Sequence, residues 1–352
     1  MQFNELRRRE FITLLGGAAA AWPLAALAQQ GNAPRPLVAC LFGGSKASVR
    51  RNFDGFLQGM RELGYVEGQN WVFEARYADG DQARSPRLAE ELVRLKPEVI
   101  AVGTMAGVLG FKKLTDTIPI VSPVLIDPVG FGLAASHARP GGNVTGLLLT
   151  VEDLPSKQLA LAVEMVPGTR KIGLLMNPGN PTHAGRRDAL EGAATTLGIE
   201  LIALQARVPD HLHAAFETLA RHAVTMVLAL DDTLFFSERK RIALLAAAAR
   251  LPTMFGLRQN VEDGGLMSYG VELYESWRRT AAFVDKVLKG GQGRRSADRI
   301  SDQIGAGDQP DDSQGARPRC PADAARPRRR GDRMKRREFI TLLTVSISRA
   351  SN

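Results

Sequence analysis

Short apolar runs alternate with amphipathic helical patterns twice over, and this repeated rhythm constrains the fold more than any other feature of the chain. Strands are expected over 37–42, 71–77, 99–102 and 118–121, with helices over 49–63, 86–95 and 106–114 between them. The rhythm restarts after Pro167: strands over 171–176, 200–206, 226–230, 253–255 and 265–269, helices over 184–197, 210–222 and 237–249. A final helical pattern covers 274–288. Repeated strand, helix, strand units dictate parallel sheets covered on both faces. The fold class is therefore α/β, with two Rossmann-like lobes. One lobe is expected over 36–125 plus 271–290 and the other, with the crossing segments, over 126–270. The Gly- and Pro-rich stretch 123–147 joins the two series. Open α/β sheets bind ligands outside the carboxyl ends of their strands, so two facing sheets make an interlobe cleft.

The ends of the chain read differently from this body. Arg7, Arg8 and Arg9 precede Phe11 and Ile12, then an apolar stretch and the triplet Ala26-Leu27-Ala28. That order describes a signal peptide of the twin-arginine type over 1–28, cleaved after Ala28, which implies export to the periplasm. Residues 291–333 show no hydrophobic periodicity and are crowded with Arg, Asp, Pro and Ala. Such a composition buries too little apolar surface to offset its ordering entropy. From Met334 the chain reads MKRREFITLL, nearly repeating residues 9–15. Back-translated with suitable codons and read one nucleotide later, 294–333 can encode a strand-like KLELVIN, a helix and paired prolines, then a stop overlapping the ATG of Met334. The expectation is a frame change between Gly290 and Gly293, with 334–352 the start of a neighbouring gene's signal peptide. Sequencing the DNA across that stretch tests it.

Charge and cysteine content exclude several functions. The net charge is +9, but residues 294–352 hold 14 Lys and Arg against 8 Asp and Glu, and residues 1–28 hold three against two. The remaining body carries about +2, which removes the electrostatic case for nucleic-acid binding. Cys40 lies in an apolar strand and Cys320 in the basic tail, so neither a disulfide framework nor a thiolate metal site is expected. P-loop, HExxH, GxSxG and CxxC patterns are missing from the body. No cofactor, no metal and no catalytic residue is expected.

The ordered set RRREFITLLGG (7–17), GMRELGYVEGQN (59–70), IDPVGFGLAASHARPGGNVTG (126–146), LLMNPGNP (174–181) and YG (269–270) resembles the ABC transporter substrate-binding family of type I periplasmic-binding-protein fold, which includes tryptophan- and tyrosine-binding members. The resemblance spans about 7–290 and departs after Gly290. It implies a monomeric ligand trap that delivers a small-molecule solute to an ABC permease in the inner membrane.

Candidate ligand contacts lie where strands end. Gly43-Gly44-Ser45 either admits a polar ligand group to backbone amides or makes a plain turn. Thr104 and Met105 open a helix whose first-turn amides favour a carboxylate, although capping alone also accounts for Thr104. Asp127 either accepts from a ligand ammonium or fixes the crossing turn, and Asn177 and Asn180 either face the cleft or close Asx turns. Asp231 is placed to bind a ligand amine, and Tyr269 to stack on a ligand or pack at the hinge. The Asp231-Asp232 pair also allows acid catalysis, but no histidine or nucleophile accompanies it in sequence. A secreted α/β enzyme and a ligand-sensing module are the competing readings.

Overall fold

The computed structural model describes residues 35–136, 141–148 and 154–290. The expectations for 1–28, 291–333 and 334–352 lie outside the described residues. Two parallel five-stranded sheets are present. The first comprises β1 (Leu37–Phe42), β2 (Val72–Tyr77), β3 (Val99–Val102), β4 (Ile120–Leu125) and β5 (Val144–Leu148) in the order β2-β1-β3-β4-β5. The second comprises β6 (Lys171–Met176), β7 (Glu200–Gln205), β8 (Met226–Ala229), β9 (Thr253–Phe255) and β10 (Met267–Ser268) in the order β7-β6-β8-β9-β10. Both lobes thus repeat one topology, with the order reversing between the first and third strand of each. β1, β3, β6 and β8 are almost wholly buried, as apolar strands covered on both faces must be.

Helices cover both faces of each sheet. In the first lobe α1 (Arg50–Glu62) and α10 (Leu273–Gly290) lie on one face, and α2 (Ser85–Arg94) and α3 (Met105–Leu114) on the other. In the second, α4 (Leu154–Met165) and α5 (His183–Leu197) face α6 (His211–Arg221), α7 (Thr233–Ser237) and α8 (Arg239–Ala248) across the sheet, and α9 (Arg258–Glu262) leads to β10. α1 buries Asn52, Gly55, Phe56, Gly59 and Met60, a single helical stripe. The helix α10 crosses back from the second lobe and lies on that stripe. A Cβ on Gly59 would stand 2.2 Å from the Arg278 carbonyl oxygen, so glycine there permits the two helix backbones to meet. Trp277 of α10 brings its ring within 4.8 Å of the Phe42 ring, sealing the end of β1.

Three departures from the periodicity have local causes. β5 pairs with β4, so 144–148, within the stretch expected to join the two series, add a fifth strand to the first sheet. Gly146, with φ of 148°, lets β5 press on the Ser122 backbone, and glycines of this kind mask the strand pattern. α4 has Pro155 as its second residue, compatible with a first helical turn but easily read as a loop. The helix expected from 237 starts at Arg239, because a separate short helix precedes it, capped by Asp232, which accepts from the Leu234 amide at 2.8 Å.

Candidate functional site

The carboxyl ends of β1 and β3 in one lobe face those of β6 and β8 in the other, and a cavity of about 150 Å³ lies between them. An apolar cavity of roughly this size holds benzene in another protein. Its first-lobe wall includes Phe42, Gly43, Gly44, Gln82, Thr104, Met105 and Ala106; its second-lobe wall includes Asn180, Thr182, Asp231, Asp232 and Thr233, with Trp277 from α10. The two sheets meet here because each switch in strand order opens a crevice at that point.

Four of the expected contacts converge on this cavity: Thr104, Met105, Asn180 and Asp231. Thr104 Oγ1 accepts from the Gly107 amide at 3.0 Å, capping α3. The amides of Met105 and Ala106 have no acceptor within the helix, and both residues line the cavity, which makes its first-lobe wall a donor for an anion. The Met105 sulfur receives the Ile126 amide at 3.5 Å. Asn180 donates to Asp232 Oδ2 at 2.9 Å, while its own oxygen receives the Thr182 amide and hydroxyl.

The other four stand outside the cavity lining. Ser45 receives the Ser48 amide and closes the turn before α1. Asp127, at φ 42°, is exposed and receives the Gly130 amide, three residues on, at 2.9 Å, which closes the local turn. Asn177 is buried, receiving the Gly179 amide and donating to Asp232 Oδ1. Tyr269 is buried in the second lobe, its amide bonded to the Phe255 carbonyl and its own carbonyl to Gln158. Gly43 also differs in role: a Cβ there would lie 2.1 Å from Thr233 Cγ2, so the glycine admits the opposite lobe.

Electrostatically the site centres on Asp231 and Asp232. Asp232 is saturated by Leu234, Asn177, Asn180 and Gln82, the last reaching across from the first lobe at 2.7 Å. Asp231 takes the Gly256 amide, and burial of its carboxyl pushes the pKa up from 3.8 to about 6 against the pull of Arg186. Its side chain is nonetheless accessible to solvent, because it forms part of the cleft wall; enclosure between the lobes, rather than loss of contact area, is what weakens its hydration.

His183 holds this wall from behind. Its Nδ1 accepts from the Asn177 amide at 2.9 Å, which places the proton on Nε2, facing the Asp231 carbonyl at 3.1 Å. Burial depresses its pKa, and its neutral form is the one these bonds require. The stability it provides is complete above the ordinary value of 6.5 and declines as pH falls below it. His183→Ala should cost about 3 kcal/mol by opening a cavity and stranding two backbone groups, read as a lowered urea midpoint.

Sequence pattern alone does not mark Gln82, Asp232 or Trp277 as parts of the cavity wall, or His183 as the group behind it. The Asp-Asp pair and the amphipathic pattern of 274–288 are the available signals for two of them; nothing local distinguishes Gln82 or His183.

The model of the ABC transporter substrate binding protein family matches residues 39–297, most of the chain and nearly all of both lobes. The chain belongs to this family. Among similar members, a tyrosine-binding protein of Clostridioides difficile (strain R20291) is 24% identical over 239 residues, covering 67% of this chain and 68% of the relative. The crystal structure of a conserved domain protein from Vibrio cholerae matches with a TM-score of 0.68 at 26% identity, over 75% of this chain and 88% of that one. The Streptococcus pneumoniae ABC domain in complex with L-Trp gives the same TM-score and coverage at 20% identity. These neighbours share the type I periplasmic-binding-protein fold, and the family is one of substrate-binding proteins.

Proposed function

We propose that this protein is the exported solute-binding component of an ABC uptake system, capturing a small organic solute, by its chemistry an amino acid, between its lobes. It works as a monomer that hands the solute to an inner-membrane permease. One observation carries the reading: the cavity presents the Asp231 carboxylate on one wall and the unpaired α3 amides on the other. Such walls suit an ammonium and a carboxylate on one molecule. Apolar side chains, Phe42, Phe236 and Trp277 among them, would take the rest of the solute. The tyrosine and L-Trp in the names of the two relatives agree with this class.

A thermal-shift screen of the full chain against the twenty free amino acids tests the proposal. A solute present at a hundred times its Kd should add about 2.7 kcal/mol of stability, roughly 8 °C for a two-lobed body of this size. The same mixtures are assayed for chemical change. Turnover of a stabilising compound, or stabilisation by none of the twenty, would count against an amino-acid trap.

A further inference from the structure

We infer that Gln82 is an interlobe latch that makes closure conditional on a solute bearing an N–H or O–H donor. This rests on the cavity between the lobes being the solute site. Gln82 opens a short turn (Gln82–Arg84) after β2, held by Asp81, whose carboxylate receives the Ala83 amide at 2.9 Å. Its Nε2 donates to Asp232 Oδ2 of the second lobe at 2.7 Å. An ionised carboxylate only accepts, so this contact settles which end of the amide is which: nitrogen towards Asp232, oxygen away from it. The oxygen, Gln82 Oε1, is buried and has no hydrogen-bond partner among the described residues.

A buried acceptor without a donor opposes the state that buries it. Separation of the lobes gives Oε1 back to water; a solute donor pairs it without separation. Thr233, a residue of the opposite wall, carries a second buried oxygen without a partner among the described residues, Oγ1. Asp232 itself does not depend on the latch. It retains the Leu234 amide at 2.8 Å, Asn177 at 3.2 Å and Asn180 at 2.9 Å, so the second lobe keeps its carboxylate paired when Gln82 is changed. The bond therefore couples the lobes while each lobe folds without it. A solute that offers only acceptors leaves Oε1 unpaired and does not hold the cleft shut.

Calorimetry of wild type, Gln82→Leu and Gln82→Glu with each of the twenty free amino acids, L-tyrosine and L-tryptophan included, tests the latch. Circular dichroism first establishes that each variant is folded. Gln82→Leu should bind at least ~10-fold more weakly than wild type, the size expected for losing one buried hydrogen bond. Gln82→Glu should be weak at pH 8, where two carboxylates face each other. It should recover towards wild type by pH 5, where the protonated carboxyl of that variant reproduces the donor to Asp232 and the acceptor to the solute. The readout is the ratio of variant to wild-type affinity at each pH, which cancels titrations common to both. Wild-type affinity in Gln82→Leu overturns the latch and leaves the binding site standing. A Gln82→Glu ratio that stays flat with pH also overturns it, by making the residue merely structural. Failure of wild type to bind any of the twenty overturns both.

Discussion

Gly43→Ala is expected to weaken solute binding about 30-fold while leaving each lobe folded. The new methyl would meet Thr233 Cγ2 at 2.1 Å and Thr233 Cβ at 3.0 Å, atoms of the opposite lobe. Gly43 does not adopt a positive φ, so alanine is acceptable to the backbone itself. The clash with Thr233 exists only when the lobes are shut. Within the first lobe the methyl meets Thr104 Cγ2 at 2.9 Å, a contact to be relieved by a small shift. Overpacking of this kind costs roughly 2 kcal/mol, and a cost confined to the closed state appears as reduced apparent affinity. Calorimetry should show the loss, and small-angle scattering should show a larger radius of gyration at subsaturating solute. Thr233→Ala in the same chain should restore much of the affinity by removing the opposing methyl. Unchanged binding by Gly43→Ala would mean that the seam is not closed in the bound state.

Asp231→Asn should also weaken the binding of an ammonium-bearing solute by about 30-fold, the loss of roughly 2 kcal/mol from a charge-assisted hydrogen bond. Wild type carries the corresponding pH signature. The carboxyl must be ionised to receive an ammonium, and with its pKa raised to about 6 it is one-tenth ionised at pH 5. Affinity at pH 5 should therefore be about 10-fold below its plateau above pH 7. Stability of the solute-free protein runs the other way. A raised carboxyl pKa gives a contribution that is complete below 3.8 and is lost as pH rises through about 6. His183 opposes it, since its depressed pKa removes stability as pH falls below 6.5. The solute-induced thermal shift should grow from pH 5 to pH 7 in wild type and stay nearly level in Asp231→Asn. A level profile in wild type would remove Asp231 from the binding wall.

These two residues show how differently parts of the site were legible. Asp231 ends a strand whose apolar run and following helix are plain in the chain, so its place at the sheet edge followed from β-α periodicity alone. Gly43 likewise falls at a strand end by pattern. Its role does not, because the atom it makes room for, Thr233 Cγ2, is 190 positions away and in another lobe. Asp127, Asn177 and Ser45 carry the right chemistry at strand ends, yet their oxygens are taken by nearby amides. Local turn bonds compete with a ligand for the same lone pairs, and the pattern of residue types is identical in either case.

The sequence by itself determined the two parallel lobes, the order of most strands and helices, and the carboxyl-end location of a binding cleft. Periodicity and strand length are local properties, and the handedness of β-α-β crossovers leaves few ways to assemble them. Only the tertiary structure decided which polar groups meet in the cavity, that β5 completes the first sheet, and that Gln82 reaches Asp232. Those outcomes depend on lobe closure and on which hydrogen bonds are already satisfied, and both are set by contacts between residues far apart in the chain.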